Sequence, residues 1–270
     1  MMRIVTANVN GIRAAARRGG LDWLARQDAD VIALQEVRAS DEQLLKVLAD
    51  GGLGEWHVSA AEGRAKGHAG VAVLTRRQPT RVSSDVGPVE FTDVGRWIEV
   101  ELPSDHGTVT VISTYVHTGE AETPKQDEKF RFLDAVGERL ASLAENGGYA
   151  VLTGDLNICH SADDLKNWKG NVGKAGFLPE EQAHLDRWIG DHEYVDVQRA
   201  LHGPGPGPYT WWSWRGKAFD NDAGWRIDYQ FASRALAERA TRADVGRAAA
   251  YAERWSDHAP VTVDYDVTLD

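Results

Sequence analysis

Cysteine is almost absent from this chain: its 270 residues include one, Cys159. A single cysteine excludes an intramolecular disulfide and a zinc site built from several cysteines. We therefore expect stability to come from packing. The composition is typical of a reducing, intracellular compartment, which predicts a cytoplasmic protein.

Long apolar runs are missing as well. No run approaches the ~20 residues that a membrane-spanning helix needs, and lysines and arginines are scattered rather than clustered. The first residues, Met1–Val5, enter a predicted strand without the basic and apolar regions of a secretion signal. We expect neither secretion nor a membrane partner.

Positive charge is in deficit: 30 basic residues against 41 acidic ones give a net charge of −11. An acidic total argues against a polyanionic partner. The charges are segregated, however, because residues 64–81 hold five basic side chains and no acid, whereas residues 179–196 hold six acids and one base. One face of such a surface can bind phosphates, so the total alone does not decide the partner.

Apolar alternation predicts eight strands, and apolar spacings of three and four residues predict four helices. The strands are Arg3–Ala7, Val31–Gln35, Gly70–Thr75, Trp97–Leu102, Thr108–Thr114, Ala150–Thr153, Arg226–Phe231 and Pro260–Tyr265. The helices are Leu21–Ala25, Asp41–Ala49, Pro124–Leu143 and Pro179–Ile189, the second opened by a capping signature at Ser40. Hairpins mixed with βα units indicate a layered α/β sandwich in one domain, residues 1–270. The Gly/Pro stretch 202–208 is predicted to be a loop.

Polar side chains follow several predicted strands, where open α/β sheets place their sites. They are Asn8 and Asn10 after the first strand, Glu36 after the second, and Asp155 and Asn157 after the sixth. Each has an ordinary alternative. The two early asparagines suit an Asx turn, Glu36 can cap a helix or pair with Arg38, and Asp155 can belong to a loop-entry turn.

Further candidates lie near the C-terminus. Asp257 and His258 stand directly before the last strand, and Asp228 lies inside an otherwise apolar strand, where an acid needs a partner. A lone Asp-His pair is usually incidental, but together the candidates supply what metal-assisted phosphodiester hydrolysis requires. Asn8, Asn10, Glu36 and Asp257 offer hard oxygen ligands, while Asp155, Asn157 and His258 can activate water and stabilise charge. The set favours Mg²⁺ or Mn²⁺ over zinc, since no H-E-x-x-H spacing is present.

Tryptophans are interleaved with cationic residues over residues 211–217 and 224–226. Such a pattern is typical of stacking on sugars or bases beside phosphate contacts, although any single indole could belong to the core. Trp211, Trp212 and Trp214 lie within four residues, so they cannot all face one way. Some of them must be exposed or line a pocket.

Several ordered motifs resemble one family over nearly the whole chain: the exonuclease III type of apurinic/apyrimidinic endonuclease, within the endonuclease/exonuclease/phosphatase group. The motifs are Ala7–Arg13, Leu34–Val37, Lys66–Val71, Tyr115–Val116, Gly154–Asn157, Asn167–Asn171, Gly224–Tyr229 and Ser256–His258. The Gly-Asp-Leu-Asn and Ser-Asp-His elements are typical of the whole group. The segments 164–177 and 224–229 point more narrowly to its DNA-repair branch.

This resemblance implies a four-layer α/β sandwich of two packed mixed sheets flanked by helices. It implies a monomeric, Mg²⁺- or Mn²⁺-dependent DNA-repair phosphodiesterase that cuts 5′ to abasic sites in double-stranded DNA and trims 3′ ends. The implied metal residues are Asn8, Glu36 and Asp257; the implied catalytic residues are Tyr115, Asp155, Asn157, Asp228 and His258; the implied DNA-binding residues are Asn10, His68, Asn171, Lys174, Trp211 and Trp225.

Individual roles follow from the same resemblance. Asp155 resembles the residue that orients or deprotonates the attacking water, with Asn157 fixing it, and Tyr115 resembles a phenol near the scissile phosphate. His258 resembles an imidazole that pairs with Asp228 and contacts the phosphate; whether Asp155 or His258 acts as the base stays open. Trp211 and Trp225 resemble the walls of a pocket for a flipped-out abasic sugar.

The sequence departs from the family pattern at His117–Thr118, where relatives often have Pro followed by Asn or Gln, and at Lys174, where some have Asn. The Gly/Pro loop at residues 202–208 does not align with the family pattern. Two other functions remain open: a phosphatase of the same fold acting on a soluble or lipid phosphate, and a catalytically inactive DNA-binding module. An inactive relative would usually have lost some of the residues needed for catalysis. This chain keeps all six, which argues against the inactive module: Glu36, Asp155, Asn157, Asp228, Asp257 and His258.

Overall fold

The computed structural model describes residues 1–270, whose twelve strands, numbered in chain order, form two six-stranded sheets. The first sheet contains β1 (Met2–Asn8), β2 (Val31–Gln35), β3 (His57–Ala61), β4 (Val71–Thr75), β11 (Ala240–Val245) and β12 (Val261–Tyr265), in the order β11-β12-β1-β2-β4-β3. The second contains β5 (Arg81–Ser83), β6 (Trp97–Ser104), β7 (Gly107–Tyr115), β8 (Tyr149–Asp155), β9 (Tyr194–Asp196) and β10 (Asp228–Ser233), in the order β5-β6-β7-β8-β10-β9. Both sheets are mixed, because β1 and β2 run parallel in one and β7 and β8 run parallel in the other.

Seven helices accompany the sheets. They are α1 (Ile12–Arg17), α2 (Gly20–Ala25), α3 (Asp41–Asp50), α4 (Pro124–Glu145), α5 (Pro179–Gly190), α6 (Val197–His202) and α7 (Arg234–Ala237). Apolar side chains of α1, α2 and α3 pack on the first sheet in one core cluster, and those of α4 and α5 pack on the second sheet in another. A third cluster, with residues such as Ile4, Val73 and Val151, joins strands of the two sheets. This confirms the predicted four-layer sandwich.

The layering explains the local sequence. All five residues of β2 and all five of β4 are buried, since the sheet is covered on both faces, and the first four residues of each strand are apolar. The predicted cap of α3 is present: the Ser40 hydroxyl accepts a hydrogen bond from the Gln43 amide at 3.3 Å. Proline opens α4 and α5, where its missing N–H costs nothing.

All eight predicted strands and four predicted helices exist, but four strands were not predicted. These are β3, β5, β9 and β11, and each is an edge strand of its sheet. An edge strand has one open side, so β3, β5 and β11 contain mostly part-buried or exposed residues and lack the apolar pattern of a central strand. The short helices α1, α6 and α7 also went unpredicted.

Most predicted boundaries differ from the observed ones by one or two residues, and one of these shifts has a clear structural cause. The strand predicted from Arg226 begins at Asp228, because Arg226 turns into buried ion pairs with Asp164 at 2.6 Å and with Asp196 at 2.7 Å. The Gly/Pro stretch is a loop as predicted, although His202 still belongs to α6.

The longest helix, α4, has 22 residues. Neither it nor any other helix is apolar enough over a sufficient length to span a membrane.

Candidate active site

The candidate polar residues converge at one end of the two sheets. Because β1 and β2 are parallel, Asn8 at the end of β1 lies beside Gln35, the residue before Glu36. In the second sheet Asp155, the last residue of β8, pairs with Tyr115 on β7 and with Asp228 on β10. The strand ends therefore bring together residues far apart in sequence.

A cleft of about 280 Å³ opens at these strand ends. Its lining contains eight of the residues singled out in the sequence: Glu36, Tyr115, Asp155, Asn157, Trp211, Trp225, Asp257 and His258. Thr118, Ala175, Gly176 and Ile227 complete the wall. One cavity thus holds carboxylates, an amide, a phenol, an imidazole and two indoles.

An imidazole lies between two carboxylates at the bottom of the cleft. His258 Nδ1 is 2.9 Å from Asp228 Oδ2, and His258 Nε2 is 3.7 Å from Asp155 Oδ2. Both aspartates are 1% exposed. Asp228 therefore has the partner that a buried acid requires, and its bond to Nδ1 fixes the ring with Nε2 towards Asp155.

The Asp155 carboxyl and the His258 imidazole, which face each other, both have raised pKa values. Burial raises the pKa of Asp155 to about 7; the His258 charge opposes this rise, while Asp228 and Glu36 add to it. Burial alone would lower the pKa of His258, but the negative charges of Asp228 and Asp155 outweigh it and raise that pKa to about 10. At neutral pH the imidazole therefore keeps its proton, and the Asp155 carboxyl exchanges its proton readily.

Asn8 lies beneath Glu36 and Asp155. Its amide nitrogen donates to Asp155 Oδ2 at 2.9 Å and to Glu36 Oε1 at 3.2 Å, and its oxygen accepts from the Asn10 amide at 3.0 Å. Asn8 thus joins two carboxylates through its side-chain N–H groups, while its side-chain oxygen bonds the backbone of Asn10. Glu36 also forms an ion pair with Arg38, so the alternative noted in the sequence exists alongside its place in the cleft.

Asp257 is held by two hydrogen-bond donors. One carboxylate oxygen accepts from Asn10 Nδ2 at 2.7 Å and the other from Trp211 Nε1 at 3.2 Å. The Trp211 and Trp225 rings stand nearly perpendicular, with centroids 6.0 Å apart. As their spacing predicts, the neighbouring tryptophans face different ways: Trp212 is buried, whereas Trp211 lines the cleft.

Backbone conformation is unusual around the cleft. Asn10, Glu36, Arg38 and Asn157 all have positive φ, between 45° and 52°. Asparagine tolerates this region, but Glu and Arg do so at a cost of ~1–3 kcal/mol each. Hydrogen bonds hold the segment, since Gly11 N donates to Glu36 O at 2.8 Å. Strained backbone of this kind clusters at functional sites.

Arg96 is a site residue that the sequence did not indicate. Its guanidinium lies over the Tyr115 ring, 4.7 Å from the centroid, and donates to the Tyr115 carbonyl at 3.0 Å. Burial raises the pKa of Tyr115, and the charges of Glu36 and Asp155 raise it further, while Arg96 opposes them. The phenol therefore keeps its proton and can donate it in a hydrogen bond. No local pattern marks Arg96, because the contact depends on the pairing of β6 with β7.

Asn8, Asn10 and Asp228 do not line the cleft but form hydrogen bonds with residues that do, whereas three other candidates have no such side-chain contact. His68 is exposed and lines a neighbouring cavity of about 460 Å³ with Arg13, Arg38, Arg64 and Lys66. Asn171 donates to the Asn167 carbonyl at 2.9 Å, and Lys174 is exposed on the same loop. Their DNA contacts remain predictions.

The donor set fits a divalent cation. Glu36, Asp155 and Asp257 bring three carboxylates to one cleft, and the raised pKa of Asp155 reflects burial together with neighbouring negative charge. A cation bound by hard oxygen ligands would relieve that repulsion. The Asp155, Asp228 and His258 ligand atoms lie within 4.8 Å of one another, but the Asp228–His258 bond already uses Nδ1.

Residues 5–258 match the model of the endonuclease/exonuclease/phosphatase family. The chain belongs to this family, and the match confirms the group named from the sequence motifs.

Within the family, the chain is similar to DNA-repair nucleases. It is 32% identical over 261 residues to the exodeoxyribonuclease of Bacillus subtilis, covering 96% of this chain and 98% of that one. It is 31% identical over 275 residues to exodeoxyribonuclease III of Haemophilus influenzae, covering 98% and 100%. These similarities confirm the predicted resemblance and the predicted enzyme class, a hydrolytic nuclease.

Solved structures agree with the fold. An AP endonuclease from Archaeoglobus fulgidus superposes with a TM-score of 0.85 at 25% identity, covering 98% of this chain and all of that one. A 3′-5′ exonuclease from Neisseria meningitidis gives a TM-score of 0.84 at 27% identity with the same coverage.

Proposed function

We propose that this protein is a divalent-metal-dependent DNA-repair phosphodiesterase that cleaves duplex DNA 5′ to abasic sites and trims 3′ ends. One observation carries the proposal: a single cleft combines the carboxylates of Glu36, Asp155 and Asp257 with the perpendicular indoles of Trp211 and Trp225. The carboxylates suit phosphodiester hydrolysis. The indoles suit a deoxyribose turned out of the helix.

Glu36 and Asp257 would hold the cation, with Asn8 beside them, and Mg²⁺ or Mn²⁺ suits these oxygen ligands. When bound, the cation polarises the scissile phosphate and offsets its charge. Asn8 keeps Glu36 in place through the N–H contact at 3.2 Å.

Asp155 activates the attacking water. A base works best when its pKa lies near the operating pH, and the pKa of Asp155 is raised by burial to about 7. His258 is the weaker choice for a base, since its pKa of about 10 keeps it protonated. The imidazolium instead donates from Nε2 to the phosphate, while Asp228 holds the ring. Asn157 and the protonated Tyr115 donate to the same phosphate oxygens.

DNA binding extends the site beyond the cleft. Trp211 and Trp225 would enclose the abasic sugar, and Asn10, His68, Asn171 and Lys174 would contact the strand beside it. Arg13, Arg64 and Lys66 around His68 give that neighbouring cavity a positive charge, which suits phosphates. A monomer suffices, since every proposed residue comes from one chain.

The test is cleavage of a 5′-labelled duplex with one tetrahydrofuran abasic analogue, with Mg²⁺ or EDTA. An intact duplex, a duplex with a 3′ phosphate and a soluble phosphate monoester are the comparison substrates. We expect an incision 5′ to the lesion that EDTA abolishes and a slower removal of 3′ groups. The Asp155→Asn variant controls for a contaminating nuclease.

Other results would assign another function. Hydrolysis of the monoester without cleavage of either DNA would indicate a phosphatase of this fold. Lesion-specific binding without cleavage in Mg²⁺ or Mn²⁺ would indicate a DNA-binding module.

A further inference from the structure

A fully buried ion pair joins the two helices behind the cleft. Lys129 on α4 and Glu181 on α5 are both 0% exposed, and Lys129 Nζ lies 2.6 Å from Glu181 Oε1. Removing two charges from water costs several kcal/mol per ion, and well-packed apolar pairs are often equally stable or more so. Stability alone therefore gives a weak reason for this pair.

The ammonium has further partners, and both belong to the cleft. Lys129 Nζ donates to the Asn157 carbonyl at 2.9 Å and to the Thr118 carbonyl at 3.3 Å. Thr118 and Asn157 both line the cleft, in the loops that follow β7 and β8. An apolar side chain at position 129 would leave these two carbonyls without their buried donor.

The contact to Asn157 falls on a residue in the left-handed backbone region. Asn157 has a φ of +52°, while its side-chain amide donates to the Val116 carbonyl at 2.9 Å and its backbone N–H donates to Asp155 Oδ1 at 2.9 Å. Holding the carbonyl of such a residue fixes the peptide plane, and with it the amide side chain and its contact to Asp155.

Glu181 connects a third segment. Its Oε2 accepts from the Leu178 amide at 3.0 Å, and its Oε1 also accepts from Gln126 at 2.9 Å. Leu178 follows Gly176, which lines the cleft and whose carbonyl accepts from Cys159 at 2.8 Å. The pair thus contacts Thr118 and Asn157 directly, and it binds the chain at Leu178, two residues after Gly176.

We propose that Lys129 and Glu181 are positioning residues, which act through Asn157 and Thr118 to hold the phosphate-contacting loops in their reactive geometry. Neither side chain is exposed to the cleft, so neither touches the substrate. The expected loss of cleavage rate rests on the proposed function, whereas the expected loosening of the two loops does not. Misplacement of a reacting group by ~1 Å can cost ~100-fold in rate, which makes the consequence measurable.

The test replaces both partners together, because removal of one leaves an uncompensated buried charge. The variant Lys129→Met/Glu181→Gln keeps the side-chain volumes and loses the ammonium donor. Its matched control is Arg139→Met/Glu99→Gln, which removes another ion pair of α4, 2.8 Å long and outside the cleft. Single-turnover cleavage, DNA affinity and hydrogen exchange at residues 116–119 and 156–158 are measured for both.

We expect the Lys129/Glu181 variant to cleave abasic DNA at least ~10-fold more slowly at unchanged DNA Kd. Hydrogen exchange in the two loops should accelerate by at least ~10-fold. The control should retain both rates. A Lys129→Gln/Glu181→Gln variant, whose residue 129 keeps two N–H donors in place of three, should lie between the first variant and the wild type, which a role in stability alone does not predict.

A Lys129/Glu181 variant with wild-type cleavage, or with unchanged exchange in both loops, would overturn the proposal. If the Lys129→Met/Glu181→Gln variant does not fold, the Lys129→Gln/Glu181→Gln variant decides. Cleavage by that variant at the wild-type rate would also overturn the proposal. If the wild-type protein does not cut abasic DNA, the proposed function fails, while the exchange measurement still decides whether the pair holds the loops.

Discussion

Asp155 combines three properties that seldom occur in one carboxyl group: burial, a protonated imidazole 3.7 Å away and two hydrogen bonds from amides on neighbouring chain segments. Asp155→Asn keeps the shape and removes the ability to take a proton. Because a base acts on the transition state and not on ground-state binding, the single-turnover rate should fall at least ~100-fold with little change in DNA Kd.

The matched control for Asp155 is Asp220→Asn, a change at an exposed aspartate, which should leave both quantities as they are. Near-normal cleavage by the Asp155 variant would assign proton transfer to another group.

Glu36 is a ligand of the cation in the proposed mechanism. A neutral side chain of the same shape tests this role without disturbing the packing around it. Glu36→Gln removes one charged ligand and keeps the hydrogen-bonding shape, so the Mg²⁺ concentration for half-maximal cleavage should rise at least ~10-fold. Activity should partly return at high Mg²⁺. A Mg²⁺ titration that matches the wild type would remove Glu36 from the metal site.

His117, one of the departures from the family pattern, is buried against the Phe91 and Phe132 rings. Burial lowers its pKa from 6.5 to about 3, helped by the charges of Arg96 and Lys129. Glu128 lies 3.4 Å from Nε2, but its side chain is 48% exposed, so water screens its opposing charge.

The neutral form of His117 is therefore the folded form, and protonation favours the unfolded chain. Its contribution to stability should be complete above pH 6.5 and should decline as the pH falls from about 6.5 towards about 3. In urea unfolding, the wild type should lose ~2 kcal/mol more than His117→Gln between pH 7.5 and pH 4.5. His106→Gln, at a residue with a 37% exposed side chain, should follow the wild-type curve.

At the scale of elements, Gly154 sets how closely β7 and β8 approach before the Asp155 turn. Its φ is +136°, and a Cβ there would lie 2.0 Å from the Thr114 carbonyl oxygen. The backbone cannot yield, so Gly154→Ala should cost ~2 kcal/mol or more and should lower cleavage by moving Asp155.

Gly190→Ala is the control for that change, because a Cβ at Gly190 meets nothing within 4 Å. It should alter the unfolding free energy by less than ~0.5 kcal/mol. Equal stabilities of the two variants in urea denaturation would show that β7 and β8 can separate without cost.

At the scale of the whole molecule, an acidic chain that binds DNA must gather its cations on one face. Lys174 is exposed on the loop that contains Asn171, and we expect it to contact a backbone phosphate. Lys174→Ala should flatten the slope of log K against log[salt] by ~1 and should weaken the binding of abasic and intact duplexes alike. Lys46→Ala, on α3, should keep the wild-type slope; a loss confined to abasic DNA would contradict the assignment.

The sequence by itself determined the central strands, the long helices and the family, and it predicted the residues that line the cleft. Buried strands such as β2 and β8 contain apolar runs, Val31–Leu34 and Tyr149–Leu152, and this signal is local, so it can be read without knowledge of partners. The short motifs around Glu36, Asp155 and Asp257 identified the family, because they occur in a fixed order along the chain.

Only the tertiary structure decided what those residues touch. Edge strands β3 and β5 depend on a neighbouring strand, the Arg96–Tyr115 stack depends on the pairing of β6 with β7, and the Lys129–Glu181 pair joins residues 52 positions apart. The direction of the Asn8 amide towards Glu36 and Asp155 likewise follows from two sheets that meet at one end. Contacts of this kind are set by packing between distant segments, and no local periodicity encodes them.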